Sequence, residues 1–233
     1  MKHILSIIAI FIFSLTISAQ TSVNGQTQNE EYLTWTLKQA EQIGRSTIKY
    51  FRSGSSVDLR IMTQDRAFMY QVRITVFTPE VIRAAARVQQ IKNRLSADET
   101  RKLVAEAEAE GDLVAMVEID PAEGSGVVPT DWRIFLQPSG FVPGNDGAVA
   151  GVKAPYLRTV KAFSGVNRRD YEYDVFWVIF PLTNDKNESV ITESMRAFEI
   201  LVGIYSKEGK SSWTIPASLR EKAKNLERER KLK

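Results

Sequence analysis

The chain contains no cysteine, and its one histidine is His3. The missing thiols exclude disulfides, thiolate nucleophiles, haem attachment through C-x-x-C-H and Cys/His zinc centres. His3 falls inside what reads as a removable leader, so the processed chain would also lack imidazole. That excludes every triad in which a histidine relays the proton. Long apolar runs are scarce too: beyond residue 17 no stretch approaches the ~20 residues that a membrane-spanning helix needs. No repeat of fixed period is visible, which argues against propellers and solenoids. What is present, 43% hydrophobic and 25% charged residues in 233 positions, is the composition of an ordinary folded domain.

Met1-Lys2-His3 is a short basic start, residues 4–17 are uncharged and strongly apolar, and Ser18-Ala19 supplies a small residue at a cleavage position. This is the three-part layout of a secretory signal peptide. Fourteen residues at ~1.5 Å each fall short of the ~30 Å hydrocarbon core, so a leader is expected rather than an anchor, cleaved after Ala19. No cysteine follows it to carry a lipid. The expected location is secreted or periplasmic. An exported chain that uses no disulfide needs a core able to do without one, and the 214 residues remaining after cleavage satisfy that.

Residues 20–28 are polar and aperiodic, a linker. Leu33, Leu37, Ala40 and Ile43 recur at helical spacing and predict a helix over 29–43 stopped by Gly44. Residues 55–62 and 68–76 alternate on either side of a polar break and predict a β-hairpin. The period then changes. Thr78-Pro79-Glu80 has the composition of a helix start, and Ser96-x-x-Glu99 is a capping box opening a second helix that Gly111 ends. Residues 79–95 carry a net +3 and residues 96–110 a net −3, so the two helices should support each other electrostatically on a solvated surface.

Strands return at 113–119, apolar on both faces, and at 132–136. Residues 138–155 hold four glycines and three prolines and are predicted to be loop throughout. Strands are expected at 156–163, 171–180, 196–205 and 211–215, with a turn at Lys207-Glu208-Gly209-Lys210 between the last two. Residues 217–233 read as a basic helix with Leu219, Ala223 and Leu226 spaced to touch a neighbour. The fold class is therefore α+β and mainly antiparallel β, with about eight strands in a sandwich or one curved sheet. A helix pair is inserted at 79–110, helices lie at both ends, and residues 29–216 make one domain.

Catalysis without His or Cys would rest on carboxylates, Lys, Tyr or Ser. The densest carboxylate group is Glu118, Asp120, Glu123 and Asp131, which could act as acid and base on a glycosidic bond or bind a hard cation. The calcium-loop pattern is absent, and Asp120-Pro121 is ordinary turn chemistry. Ser46-x-x-Lys49 matches the S-x-x-K of serine acyl-transferases, without the S-D-N and K-T-G elements that accompany it. Gly144-x-x-Gly147-x-x-x-Gly151 lacks the end of a phosphate loop and reads as loop. Asn187-Glu188-Ser189 fits a glycosylation sequon. Trp132 and Trp177 read as core; Trp213 and Phe141 are the aromatics with the better claim to exposure and to binding a partner, with core the favoured reading for Trp213.

The tail from Ala217 carries a net +4 and leaves the processed body before it at −2. Arg228, Arg230 and Lys231 are its candidate contact residues. Export argues against nucleic acid, and the narrow Leu/Ala stripe lacks the aromatic face of a membrane-surface helix. The expected function is a non-catalytic binding or assembly module of the envelope or extracellular space. Its contact would be the loop 138–155 or the basic helix, with no cofactor and no metal. The rival readings are a carboxylate enzyme acting on polysaccharide and a carrier of an apolar ligand.

Overall fold

The computed structural model describes residues 30–53, 70–121, 128, 130–141, 147–164 and 174–232. The expected leader, the linker, the strand at 55–62, Glu123 and Gly144 lie outside them. The fold is α+β, built on two antiparallel sheets.

The first helical segment is interrupted. A 3-10 turn over Glu31–Thr34 precedes helix α1, Leu37–Ser46, because Thr36 and Gln39 form a reciprocal capping box that starts a new helix there. Gly44 is buried inside α1 and does not stop it. The first strand, β1, is Ile48–Ser53, and it pairs with β2, Tyr70–Phe77. The partner of β2 is thus β1, residues that alternation did not select as strand, while the strand expected at 55–62 lies outside the described residues.

Helix α2, Pro79–Asn93, ends at Arg94, whose φ of 56° is left-handed and whose amide returns to the Gln90 carbonyl. Ser96 and Glu99 cap helix α3, Ala97–Ala109, in the box the sequence predicts. The opposed charges meet where Arg83 of α2 lies 3.5 Å from Glu108 of α3. Strand β3, Leu113–Pro121, pairs on one side with β2 and on the other with β7, Val175–Phe180.

The second sheet contains β4, Arg133–Pro138, flanked by β8, Ala197–Ile204, and beyond it β9, Lys207–Thr214. The turn between β8 and β9 is Tyr205-Ser206. Lys207 to Lys210, expected as the turn, belong to β9, since Ile204 is already paired with Lys207. The segment 138–155 is not all loop: β5, Val149–Ala150, pairs with β4 in the second sheet, and β6, Val152–Lys153, pairs with β7 in the first. The strand expected at 156–163 is instead a 3-10 helix, Pro155–Thr159, followed by the short helix α4, Lys161–Ser164. Leu157 within it and the capping residues Ala154 and Val160 are buried, and intervals of three suit a 3-10 turn rather than a strand. Helix α5, Ala217–Lys231, closes the chain.

The strand orders are β1-β2-β3-β7-β6 and β5-β4-β8-β9. One core lies between the sheets: Val72, Ile74, Val117 and Val178 from the first meet Ile134, Leu136, Ile200 and Val202 from the second. A second core lies on the opposite face of the first sheet, where Phe77, Met116 and Trp177 meet Val81 and Ile82 of α2, Val104 and Ala107 of α3, and Leu157 and Phe163. Strand β3 therefore faces apolar neighbours on both sides, which accounts for its nearly continuous hydrophobic run. Leu219 and Ala223 place α5 against the core between the sheets.

Candidate functional site

The carboxylates are divided between the two sheets. Glu118 is in register with Arg73 on β2 and Val175 on β7, on the face of the first sheet that also carries the helices. Its side chain is 3% exposed, with the Arg73 guanidinium 3.6 Å away. That guanidinium also stands 5.3 Å over the ring of Tyr50, the next residue across on β1. Asp120, two residues on and on the same face, is exposed. Asp131 is exposed just before β4 in the other sheet, where its charge faces Lys153. Lys153 donates to the Thr130 carbonyl at 2.8 Å and lies 4.3 Å from the centre of the Trp132 ring. Burial lowers the Lys153 pKa, opposed by Asp131. Among the described residues no group of three or more Asp, Glu, His or Cys is placed to hold a metal ion.

Ser46 and Lys49 do not share a helix. Ser46 is the last residue of α1 and donates to the Ile43 carbonyl at 2.7 Å, while Lys49 is exposed on β1, so the one-turn spacing that would activate the serine is absent. Asn187 of the sequon lies exposed in a turn with φ of 59°.

The loop 138–155 is fastened at its start by a residue that sequence patterning did not select, Glu199 in the middle of β8. Phe198 and Ile200 point into the core, so alternation directs Glu199 to the outer face. It is nevertheless only 7% exposed. Its carboxylate accepts from the Ser139 hydroxyl at 3.0 Å, the Gly140 amide at 3.4 Å, Lys210 at 3.3 Å and Gln137 at 3.5 Å. Burial pushes its pKa up, but the Ser139, Lys210 and Gly140 donors outweigh that and hold it below the ordinary carboxylate range. Phe141 follows, half-buried, its amide returning to the Pro138 carbonyl at 3.1 Å. At the other end of the loop Val149–Ala150 and Val152–Lys153 are paired into different sheets.

Trp213 is 6% exposed, stacked on Phe198 at 5.5 Å, and its indole N–H donates to the Thr47 carbonyl at 2.7 Å. It joins β9 to the start of β1 and presents little ring to a partner.

The basic residues of α5 have separate fates. Arg230 makes two 2.9 Å hydrogen bonds to the Asp112 carboxylate and also reaches Thr183. Arg220 donates to the carbonyls of Thr192, Glu193 and Met195. Lys222 donates to the Gly111 carbonyl at 2.8 Å, and burial lowers its pKa despite Glu108 and Asp112 nearby. Lys224 pairs with Glu193 and Lys231 with Glu227. Arg228 is exposed. Much of the charge that made the tail look like a docking surface is thus spent on docking the tail itself.

Two surface grooves accompany these features. One, of about 430 Å³, runs between residues 191–193 and the start of α5; the other, of about 200 Å³, is bounded by Tyr32, Arg83, Arg101 and Glu108. Among the described residues no helix is long and apolar enough to cross a membrane. Compared with protein-family models, curated proteins and solved structures, the chain finds no match in any of the three.

Proposed function

We propose that the protein is an exported, non-catalytic binding or assembly module whose contact surface is the loop 138–155. The observation that carries this reading is the fastening of the loop at both ends: Glu199 gathers Ser139 and Gly140 at one, and the Val149–Lys153 segment spans both sheets at the other. A loop on so rigid a base can recognise a partner with little ordering cost. Export is read from the signal-peptide layout expected over residues 1–19.

The rival readings draw less support. Glu118 is 3% exposed and committed to an ion pair with Arg73, an unsuitable setting for a group that must reach a sugar. A carrier needs an enclosed apolar cavity of several hundred Å³. Here the space between the sheets is occupied by packed Val, Ile, Leu and Trp side chains.

The absence of cysteine provides a clean test, because any introduced thiol is unique. Ala148→Cys in the loop and Asn225→Cys on α5, both exposed positions, are loaded with a thiol-directed crosslinker in exporting cells. A discrete adduct with one envelope component from Ala148→Cys, and none from Asn225→Cys, is expected. The reverse pattern moves the contact to the helix. Adducts from neither, together with sugar release by the pure protein that Asp120→Asn abolishes, would overturn the module reading in favour of the enzyme.

A further inference from the structure

The edge of the first sheet, where the loop ends and the 3-10 helix begins, presents a surface of different character. Of the five large hydrophobic residues that stand exposed among the described residues, Val152 at 63% and Tyr156 at 56% lie within five residues of each other. Pro155 between them is exposed, as are Lys153, Arg158 and Lys161. The described residues 147–164 contain three basic side chains and no acidic one. The display is held rigidly: Ala154, Leu157 and Val160 are 3%, 0% and 5% exposed and anchor the segment to the helix-side core. Asp131 faces Lys153 from the other sheet and offsets part of one charge.

We infer that this edge, β6 with the 3-10 helix after it, is a peripheral docking surface for an anionic lipid bilayer. The chemistry is that of a membrane interface: a tyrosine ring and small apolar groups at headgroup depth, flanked by cations that meet lipid phosphates. Charge complementarity favours it, since the segment offers only positive charge. The shape agrees, because an edge strand continuing into a 3-10 turn is a rim, and neither described groove is lined by these residues. Tail cations such as Arg230, Arg220 and Lys222 are bonded to the body, whereas Arg158 of this edge is exposed. The inference rests on the binding-module reading only in naming a surface that such a module would meet.

The test is co-sedimentation of the full chain with vesicles of phosphatidylcholine alone and of an equal mixture with phosphatidylglycerol. An apolar leader, where retained, binds both, so the readout is the ratio between them. The mixed vesicles are expected to bind more, and less so in high salt. Arg158→Ser should cut the ratio about fivefold, the worth of one cation near an anionic surface. Tyr156→Ser should lower binding with the melting temperature unchanged, and Arg228→Ser should leave the ratio as it was. Equal binding to the two vesicle types overturns the inference. So does a ratio that responds to Arg228→Ser but not Arg158→Ser, or retention on a polyglutamate column without vesicle binding. Loss of the loop adduct with the lipid ratio intact removes only the loop-contact reading, and the converse removes only this one.

Discussion

At the scale of single residues, Glu199 shows how burial and hydrogen bonding contend. Its folded pKa lies below its unfolded value because Ser139, Lys210 and Gly140 stabilise the charged form more than burial penalises it. A depressed carboxyl pKa contributes stability that is present above the unfolded value, about 4.3, and is lost as pH falls through the folded pKa. Urea titrations of the wild type should therefore show stability declining below about pH 4.5, and Glu199→Gln should flatten that decline. At pH 7 Glu199→Ala, which leaves the Ser139 hydroxyl and Gly140 amide without their acceptor, is expected to cost about 1–3 kcal/mol. An unchanged acid limb in Glu199→Gln would show that the donors are satisfied elsewhere. Alternation along β8 sets Glu199 on the face opposite Phe198 and Ile200 but carries no sign of its burial, because the groups around it come from β4, β9 and the loop.

At the scale of elements, helix α5 illustrates the difference between a sequence stripe and its partner. The spacing of Leu219, Ala223 and Leu226 indicated a contact face, and Leu219 and Ala223 are each 0% exposed. The spacing did not indicate that this face meets the core between the sheets, or that Arg230 would bridge to Asp112 at the head of β3. Leu219→Ala should lower stability by about 2–5 kcal/mol, as for other fully buried leucines. Denaturant unfolding measures this. A loss under 1 kcal/mol would mean that α5 docks through its polar bonds alone. The opposite case is the 3-10 helix Pro155–Thr159: an apolar residue every third position was present in the sequence, but so short a segment does not separate a strand from a tight helix by periodicity.

At the scale of the whole molecule, two glycines let the sheets join at their sides. Gly151 sits where the chain leaves one sheet for the other, and a Cβ there would lie 2.5 Å from Val178, 2.8 Å from Phe180 and 2.9 Å from Ile134. On the opposite side Gly209 of β9 meets β1, where a Cβ would fall 2.7 Å from the Phe51 ring and 2.9 Å from the Ser53 Cα. The long edges β1 and β9 thus shield each other, which limits the unpaired backbone open to aggregation. Gly151→Ala should destabilise by about 1–3 kcal/mol through overpacking. Gly203→Ala, whose nearest contact would be 3.9 Å, should change stability by no more than about 0.5 kcal/mol. Thermal melts of the two variants check this, and equal melting temperatures would show that the corner at Gly151 yields.

The sequence by itself determined the local features: the opposed helix pair and its capping box, the position of β3 and its two-sided burial, the antiparallel β character, and the chemistries that a chain poor in thiol and imidazole forgoes. These depend on residues within a few positions of one another, where periodicity and capping act. Only the tertiary structure decided that residues 149–153 switch sheets, that Trp213 bonds to the Thr47 carbonyl, that Arg230 is a staple, and that Glu199 is buried. Each depends on groups brought together from distant parts of the chain, as Arg230 and Asp112 are across 118 positions. Local sequence patterns carry no record of such pairings.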